Sequence, residues 1–200
     1  MTINPEQLDV LKELLTIGSG RAAAVLNEMT SLHISLDVPM AEVCHPEQFT
    51  SAFGVGKQER LAVVYMPFRG SFSGRADLVF SSESAAKLVS VVTGEEGGPE
   101  ELDAIRSATL NEVGNIVLNG VMGSMANVLS QPLEYSVPTF LDETPEELRR
   151  SVIRDAEAVV LARIHFSIQG HKIEGEVILL FEVGSFGALI AAIDSLLQVS

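Results

Sequence analysis

One cysteine, Cys44, stands in a chain of 200 residues. No internal disulfide can form, and a reducing compartment suits the chain. Long apolar runs are missing too. The apolar stretches are short, interrupted and amphipathic, and none approaches the roughly 20 residues of a membrane span. The opening MTINPEQLDVLKEL has neither the basic segment nor the apolar core of a signal peptide. Export is therefore not expected, and a cytoplasmic location is. Basic residues are scarce. The chain has 13 Lys and Arg against 27 Asp and Glu, for a formal net charge of −14. Nucleic acids and anionic membranes both select basic patches, so neither is an expected partner. The histidines at 33, 45, 165 and 171 show no helical i,i+4 pairing and have no cysteine companions. No metal site is expected from them. No G-x-S-x-G nucleophile turn is present.

What is present suffices for a full core, since 46% of residues are hydrophobic. Residues 6–29 carry Leu8, Leu11, Leu15, Ala22, Val25, Leu26 and Met29 at helical spacing, with Pro5 at an early position. GSGR (18–21) falls inside that helix, so close helix packing explains it better than a phosphate loop. Residues 34–43 alternate like a strand, with Pro39 marking an edge or a bulge. Two more strands follow at 60–68 and 70–80, then a serine-capped helix at 82–92. GEEGGPEE (94–101) reads as a linker.

Beyond the linker the order repeats. Residues 101–130 are helical and 132–141 are extended. A hairpin over 157–168 and 171–181 turns at Gln169-Gly170, and 185–197 is a helix. A shift of 99 places Leu11 on Leu110, Glu13 on Glu112, Ile17 on Ile116 and Val38-Pro39 on Val137-Pro138. A shift of 101 places Gly74 on Gly175, Phe80 on Phe181 and Leu88 on Leu189. The stretch Glu146-Glu147 with Arg149-Arg150 is expected to be a solvated helical turn or loop between strands. The expected fold is α+β: two pseudo-symmetric αβββα halves, 1–97 and 101–200, share one largely antiparallel sheet. Two long helices lie side by side on one face.

The second long helix contains TLNEVGNIVLNG (109–120). At 100° per residue, Asn115 and Asn119 lie at about 300° and 340° when Glu112 is at zero. Leu110, Val113, Val117, Val121, Met125 and Val128 occupy the opposite side. The helix thus buries one stripe and shows Glu112 and Asn115 together on the other. Gly114, Gly120 and Gly123 each cost about 1 kcal/mol against Ala in a helix interior, as does Gly18 or Gly20. Close approach of another backbone, or of a partner's surface, would offset that. A lone exposed E-x-x-N is ordinary solvated surface. Here both halves keep the Glu, and both keep a Val-Pro that ends 26 residues beyond it.

These residues carry a resemblance to the CheC/CheX/FliY family of chemotaxis phosphatases, CheC above all. The family motif is Asp or Ser, three residues, Glu, two residues, Asn, then 22 residues and Pro. Glu112, Asn115 and Pro138 match it at full spacing, with Ala108 at the leading position. In the first half Asp9, Glu13 and Pro39 match, and Thr16 stands where Asn is expected. The resemblance covers essentially the whole chain and implies a single CheC-like domain, expected to be a monomer. It implies a hydrolase that removes the phosphoryl group from a phosphorylated CheY-type response regulator. Asn115 would orient the attacking water and Glu112 would pair with the regulator's active-site lysine, while Pro138 shapes the neighbouring strand. The chain would need no cofactor of its own, because the bound regulator holds Mg²⁺. Glu13 and Thr16 would form a degenerate second site, weak or silent. Ala108 would cost orientation or docking strength. The resemblance also implies the deamidase CheD as a partner, mapped loosely to 183–197.

An alternative stays open, a non-catalytic chemotaxis or flagellar interaction module that binds CheD or a response regulator. The central domain of the switch protein FliM has this fold without the motif. The intact Glu112–Asn115 pair favours the enzyme. Thr16 and Ala108 favour the binder.

Overall fold

The computed structural model describes residues 3–49, 60–94 and 99–198. Helix α1 (Pro5–Thr30) opens on a reciprocal cap. Asn4 Oδ1 accepts from Gln7 N and Gln7 Oε1 accepts from Asn4 N, both at 2.9 Å. It closes at Ser31, whose φ is +56°. Strands β1 (Ile34–Cys44), β2 (Leu61–Gly70) and β3 (Gly74–Ser81) follow, then α2 (Ser82–Thr93), capped by Ser81. The expected linker at 94–101 lies partly outside the described residues. Gly94 ends α2 with φ +69°, and α3 runs from Pro99 to Val128.

The second half adds an element that the αβββα expectation lacks. Strands β4 (Leu133–Tyr135) and β5 (Thr139–Glu143) are followed by helix α4 (Pro145–Asp155), then β6 (Ala158–Ile168), β7 (His171–Phe181) and α5 (Ser185–Leu197). The Glu146–Arg150 stretch is thus a full helix rather than a turn. Its start was legible as a capping box. Thr144 Oγ1 accepts from Glu147 N at 3.2 Å, and Glu147 Oε2 accepts from Thr144 N at 2.7 Å. Leu148 and Val152 supply its short apolar stripe.

Every strand pairing is antiparallel, in the order β1-β6-β7-β3-β2-β4, with β5 also on β2. The first strand of each half therefore crosses to the other half: β1 pairs with β6, and β4 and β5 pair with β2. The β6–β7 hairpin turns at Gln169 and Gly170, both at positive φ, which matches the twist of the strands it joins.

Residues of α1, α2, α3 and α5 form the main core with one sheet face. On the other face Leu148 and Val152 of α4 close a smaller core with Leu61, Val63, Val79, Val159, Leu161, Ile178 and Leu180. The central strands are covered on both sides, which is why LAVVYM reads as a continuous apolar run. The two long helices pack side by side. A Cβ on Gly18 would lie 2.5 Å from Val121 Cα, and one on Gly120 would lie 2.8 Å from the Gly18 carbonyl oxygen. The backbones of α1 and α3 touch there, which accounts for both glycines. A Cβ on Gly114 would meet Val64 Cγ1 of β2 at 2.4 Å, so that glycine seats α3 on the sheet. Gly20 and Gly123 face open space. Of the apolar positions expected on α1, Val25 and Met29 are exposed near its C-terminal end, and two residues outside that expectation, Leu14 and Ala23, are buried.

Candidate active site

Seated on β2 by Gly114 and against α1 by Gly120, α3 holds a fixed face toward the β4–β5 segment. Between them lies an open groove of about 430 Å³, lined by Ala108, Asn111, Glu112, Asn115 and Asn119 of α3 and by Tyr135, Ser136, Val137 and Pro138. Four positions that spacing singled out, 108, 112, 115 and 138, meet in one place. Glu112 is exposed, and Asn115 is half-buried.

The wall opposite α3 comes from a break in a β-ladder. Tyr135 is opposite Phe68 and Thr139 is opposite Tyr65, so one extra residue sits between β4 and β5 relative to β2. Pro138 has no N–H to give the ladder, and Ser136 N donates to Pro67 O at 2.9 Å beside the break. The bulge turns Val137 outward, 86% exposed, on the rim of the groove. The same device recurs in β1. Its register against β6 slips by one residue between Asp37 and Met40, around Val38-Pro39.

Inside the groove the carboxamides form a ladder. Asn119 Nδ2 donates to the Asn115 backbone oxygen at 2.8 Å and to Asn115 Oδ1 at 2.7 Å. One turn earlier, Asn111 Oδ1 is buried without a hydrogen-bond partner among the described residues. Sequence spacing placed Asn119 on this face but assigned it no role, and it overlooked Asn111. The i,i+4 recurrence of Asn at 111, 115 and 119 was the available signal. Such a surface can hold and orient a small polar molecule. Its neutral amides do not repel an anion.

Comparison with known proteins identifies the family. The family model described as chemotaxis phosphatase CheX matches residues 62–162, which include Glu112, Asn115 and Pro138. The chain belongs to the CheC/CheX/FliY family, a family of CheY-P phosphatases. It is 26% identical over 139 residues to the CheY-P phosphatase CheC of Bacillus subtilis (strain 168), covering 68% of this chain and 66% of that protein, just under two thirds of its length. Its fold is similar to that of Thermotoga maritima FliY, with a TM-score of 0.76, 21% identity, and 98% and 99% of the two chains covered. It is also similar to CheX in a Borrelia burgdorferi CheX–CheY–BeF₃–Mg²⁺ complex. That match has a TM-score of 0.55 and 21% identity over 85% of this chain and 96% of that one.

The Glu–Asn–Pro spacing is intact in the second half, and Ala108 is exposed at the groove edge. The first half differs at more than Thr16. Glu13 and Thr16 are both exposed on α1. The Thr16 hydroxyl spends its proton on the Lys12 carbonyl oxygen at 2.8 Å. Lys12, which corresponds to Asn111, reaches across so that its Nζ donates to Pro39 O at 3.3 Å. Gly20 stands where the second half has Asn119. The first half thus bridges its helix to its bulge where the second half leaves a groove. The stretch 183–197, expected as a docking segment, spends Phe186, Leu189, Ala192 and Ile193 on the core, and Val183 is exposed before the helix.

A second polar cleft lies on the opposite sheet face, lined by Tyr65, Arg75, Asp142, Glu143, Glu147, Arg150, Ser151 and Arg154. Beneath it Arg75 binds fully buried Asp77 from β3, with Nη2 to Oδ2 and Nε to Oδ1 both at 2.8 Å. Its Nη1 donates to Ser151 Oγ of α4 at 2.9 Å. Burial pushes the Asp77 carboxyl up to about 6, although Arg75 pulls the other way. The cations of this cleft are engaged in ion pairs, Arg150 with Glu146 and Arg154 with Asp155. Among the described residues no three His, Cys, Asp or Glu side chains gather in a metal-holding group, and no helix is long and apolar enough to cross a membrane.

Proposed function

We propose that this chain dephosphorylates a CheY-type response regulator at its phospho-aspartate, using the α3 groove of the second half. The reading is carried by one observation: Glu112, Asn115 and Pro138, far apart or one turn apart in sequence, line a single groove. In the reaction a water oxygen bonds to phosphorus as the bond from phosphorus to the aspartyl oxygen breaks. The aspartate leaves as a carboxylate, and the water's proton ends on the phosphate. Such a transfer needs alignment and charge stabilisation more than covalent help. The regulator brings its own Mg²⁺ for the phosphoryl charge. This chain contributes Asn115, whose amide has both a donor and an acceptor for the water and carries no charge. Glu112, exposed one turn away, supplies a carboxylate for the regulator's lysine and sets the register of docking. Val137 on the rim offers an apolar contact to the same partner.

The test is the decay of a phosphorylated regulator with and without the protein. Decay should accelerate. Asn115→Ala should slow the catalysed reaction by about 10²-fold or more, as expected for loss of a transition-state hydrogen bond, with little change in binding. An unchanged rate in Asn115→Ala removes Asn115 from the chemistry. An unchanged decay with the wild-type protein leaves the chain a binding module.

A further inference from the structure

We infer that Asn119 is a positioning residue that fixes which way the Asn115 carboxamide faces, an inference that rests on the reading of Asn115 given above. The argument starts from the backbone. A carbonyl oxygen can only accept a hydrogen bond. The Asn115 carbonyl lies 2.8 Å from one terminal atom of Asn119, so that atom is the amino nitrogen. The amino group has two hydrogens. One is spent on the carbonyl. The other points at the Asn115 side-chain atom 2.7 Å away, which must therefore be the acceptor Oδ1 and not the amino group. An α-helical carbonyl thus dictates the orientation of one carboxamide, which dictates the other. Asn115 is left with its amino group turned away from Asn119 and with one lone pair on Oδ1 unspent.

The consequence concerns catalysis. A carboxamide that rotates freely about its last torsion, which is broad and nearly two-fold, exchanges its donor and acceptor positions. Only one arrangement matches a given water and phosphoryl oxygen. Locking it in advance removes the ordering cost from the docking step. Both side chains are half-buried and line the groove, so the lock sits at the proposed point of reaction. The first half has no such lock. Gly20 occupies the position four residues after Thr16.

Two measurements test this. The first is the ¹⁵N order parameter of the Asn115 side-chain amide, which needs no activity. It should be near the rigid value of roughly 0.85 in the wild type and fall below roughly 0.6 in Asn119→Ala. An order parameter unchanged by Asn119→Ala overturns the inference. The second is a double-mutant cycle in the dephosphorylation assay. Asn119→Ala, and Asn119→Leu, which keeps the bulk and stays uncharged but cannot donate, should each lower kcat about tenfold and leave KM for the phosphorylated regulator unchanged. In the Asn115→Ala background the Asn119 substitutions should have no further effect, because the residue acts only through Asn115. Equal losses in both backgrounds mark Asn119 as a general support of α3 and overturn the inference. If Asn115→Ala itself keeps full activity, the reading of the site falls, and the order parameter alone decides the lock.

Discussion

At the scale of single residues, the two halves differ by chemistry that one substitution does not reverse. Thr16 has its hydroxyl proton tied to the helix, Lys12 spans to the Pro39 carbonyl, and Gly20 supplies no clamp. Introduced into the Asn115→Ala background, Thr16→Asn alone should stay inactive. Thr16→Asn combined with Lys12→Asn and Gly20→Asn should regain measurable phosphatase activity. A Cβ on Gly20 meets nothing, so the fold should tolerate the change. Recovery with Thr16→Asn alone would show that only the carboxamide was missing. Glu112 makes a separate prediction. Its exposed carboxylate is proposed to meet a lysine, so Glu112→Ala should weaken binding and turnover together. Glu112→Lys should be worse through like-charge repulsion. A titration of regulator against each variant reads both effects, and equal behaviour of Ala and Lys would remove the lysine partner.

At the scale of elements, three glycines set the position of the candidate catalytic helix. Gly18 and Gly120 allow α1 and α3 to touch backbone to backbone, and Gly114 lets α3 settle on Val64. Gly18→Ala drives a methyl into the Val121 main chain and should cost about 1–3 kcal/mol, the usual penalty for overpacking. Gly20→Ala, two residues away on the open side, should add about 0.5–1 kcal/mol through helix propensity. Denaturant melts of the two variants decide the point. Destabilisation of the same size in both would mean that helix packing is not what Gly18 serves. Helix α4 belongs to this scale as well. It covers the far face of the sheet and is pinned there by Ser151 on Arg75.

At the scale of the whole molecule, the halves are interlocked rather than adjacent. Strand β1 finds its partner in β6, and β4 and β5 find theirs in β2. We propose that they form one folding unit. Fragments 1–97 and 101–200 should each be largely unfolded alone and regain the helix and strand signals by circular dichroism when mixed. Independent folding of either fragment would contradict this. The buried Arg75–Asp77 pair adds a global pH dependence. Asp77 takes up its proton at about 6 in the folded chain, above the ordinary 3.8. A carboxyl with a raised folded value contributes its full stability below about pH 4, and that contribution is lost as pH rises to about 6. Measured by urea unfolding, the stability of the wild type relative to Asp77→Asn should therefore fall between pH 4 and 7. The size is about 3 kcal/mol at the pKa difference involved. A difference that stays flat with pH would place the proton elsewhere.

Much of this protein follows from its sequence alone. Helical and strand periods located α1, α2, α3, α5 and the β6–β7 hairpin to within a few residues, because apolar residues recur in each at the period of its element. Internal repetition exposed the Glu and Val-Pro spacing, helical geometry put Asn115 beside Glu112, and the groove brings those residues together. Helix α4 escaped because its apolar stripe is short and its charged residues dominate, although Thr144 and Glu147 marked its start. Three matters were decided only by tertiary structure. Strand order, with each half lending its first strand to the other, depends on long-range pairing that no local pattern encodes. Which glycines matter depends on what lies opposite them, so Gly18 and Gly120 carry a contact while Gly20 and Gly123 carry none. The orientation of Asn115 depends on Asn119 and a backbone carbonyl one turn apart. A sequence shows that the two asparagines share a face, but only the folded helix shows which atom of one meets which atom of the other.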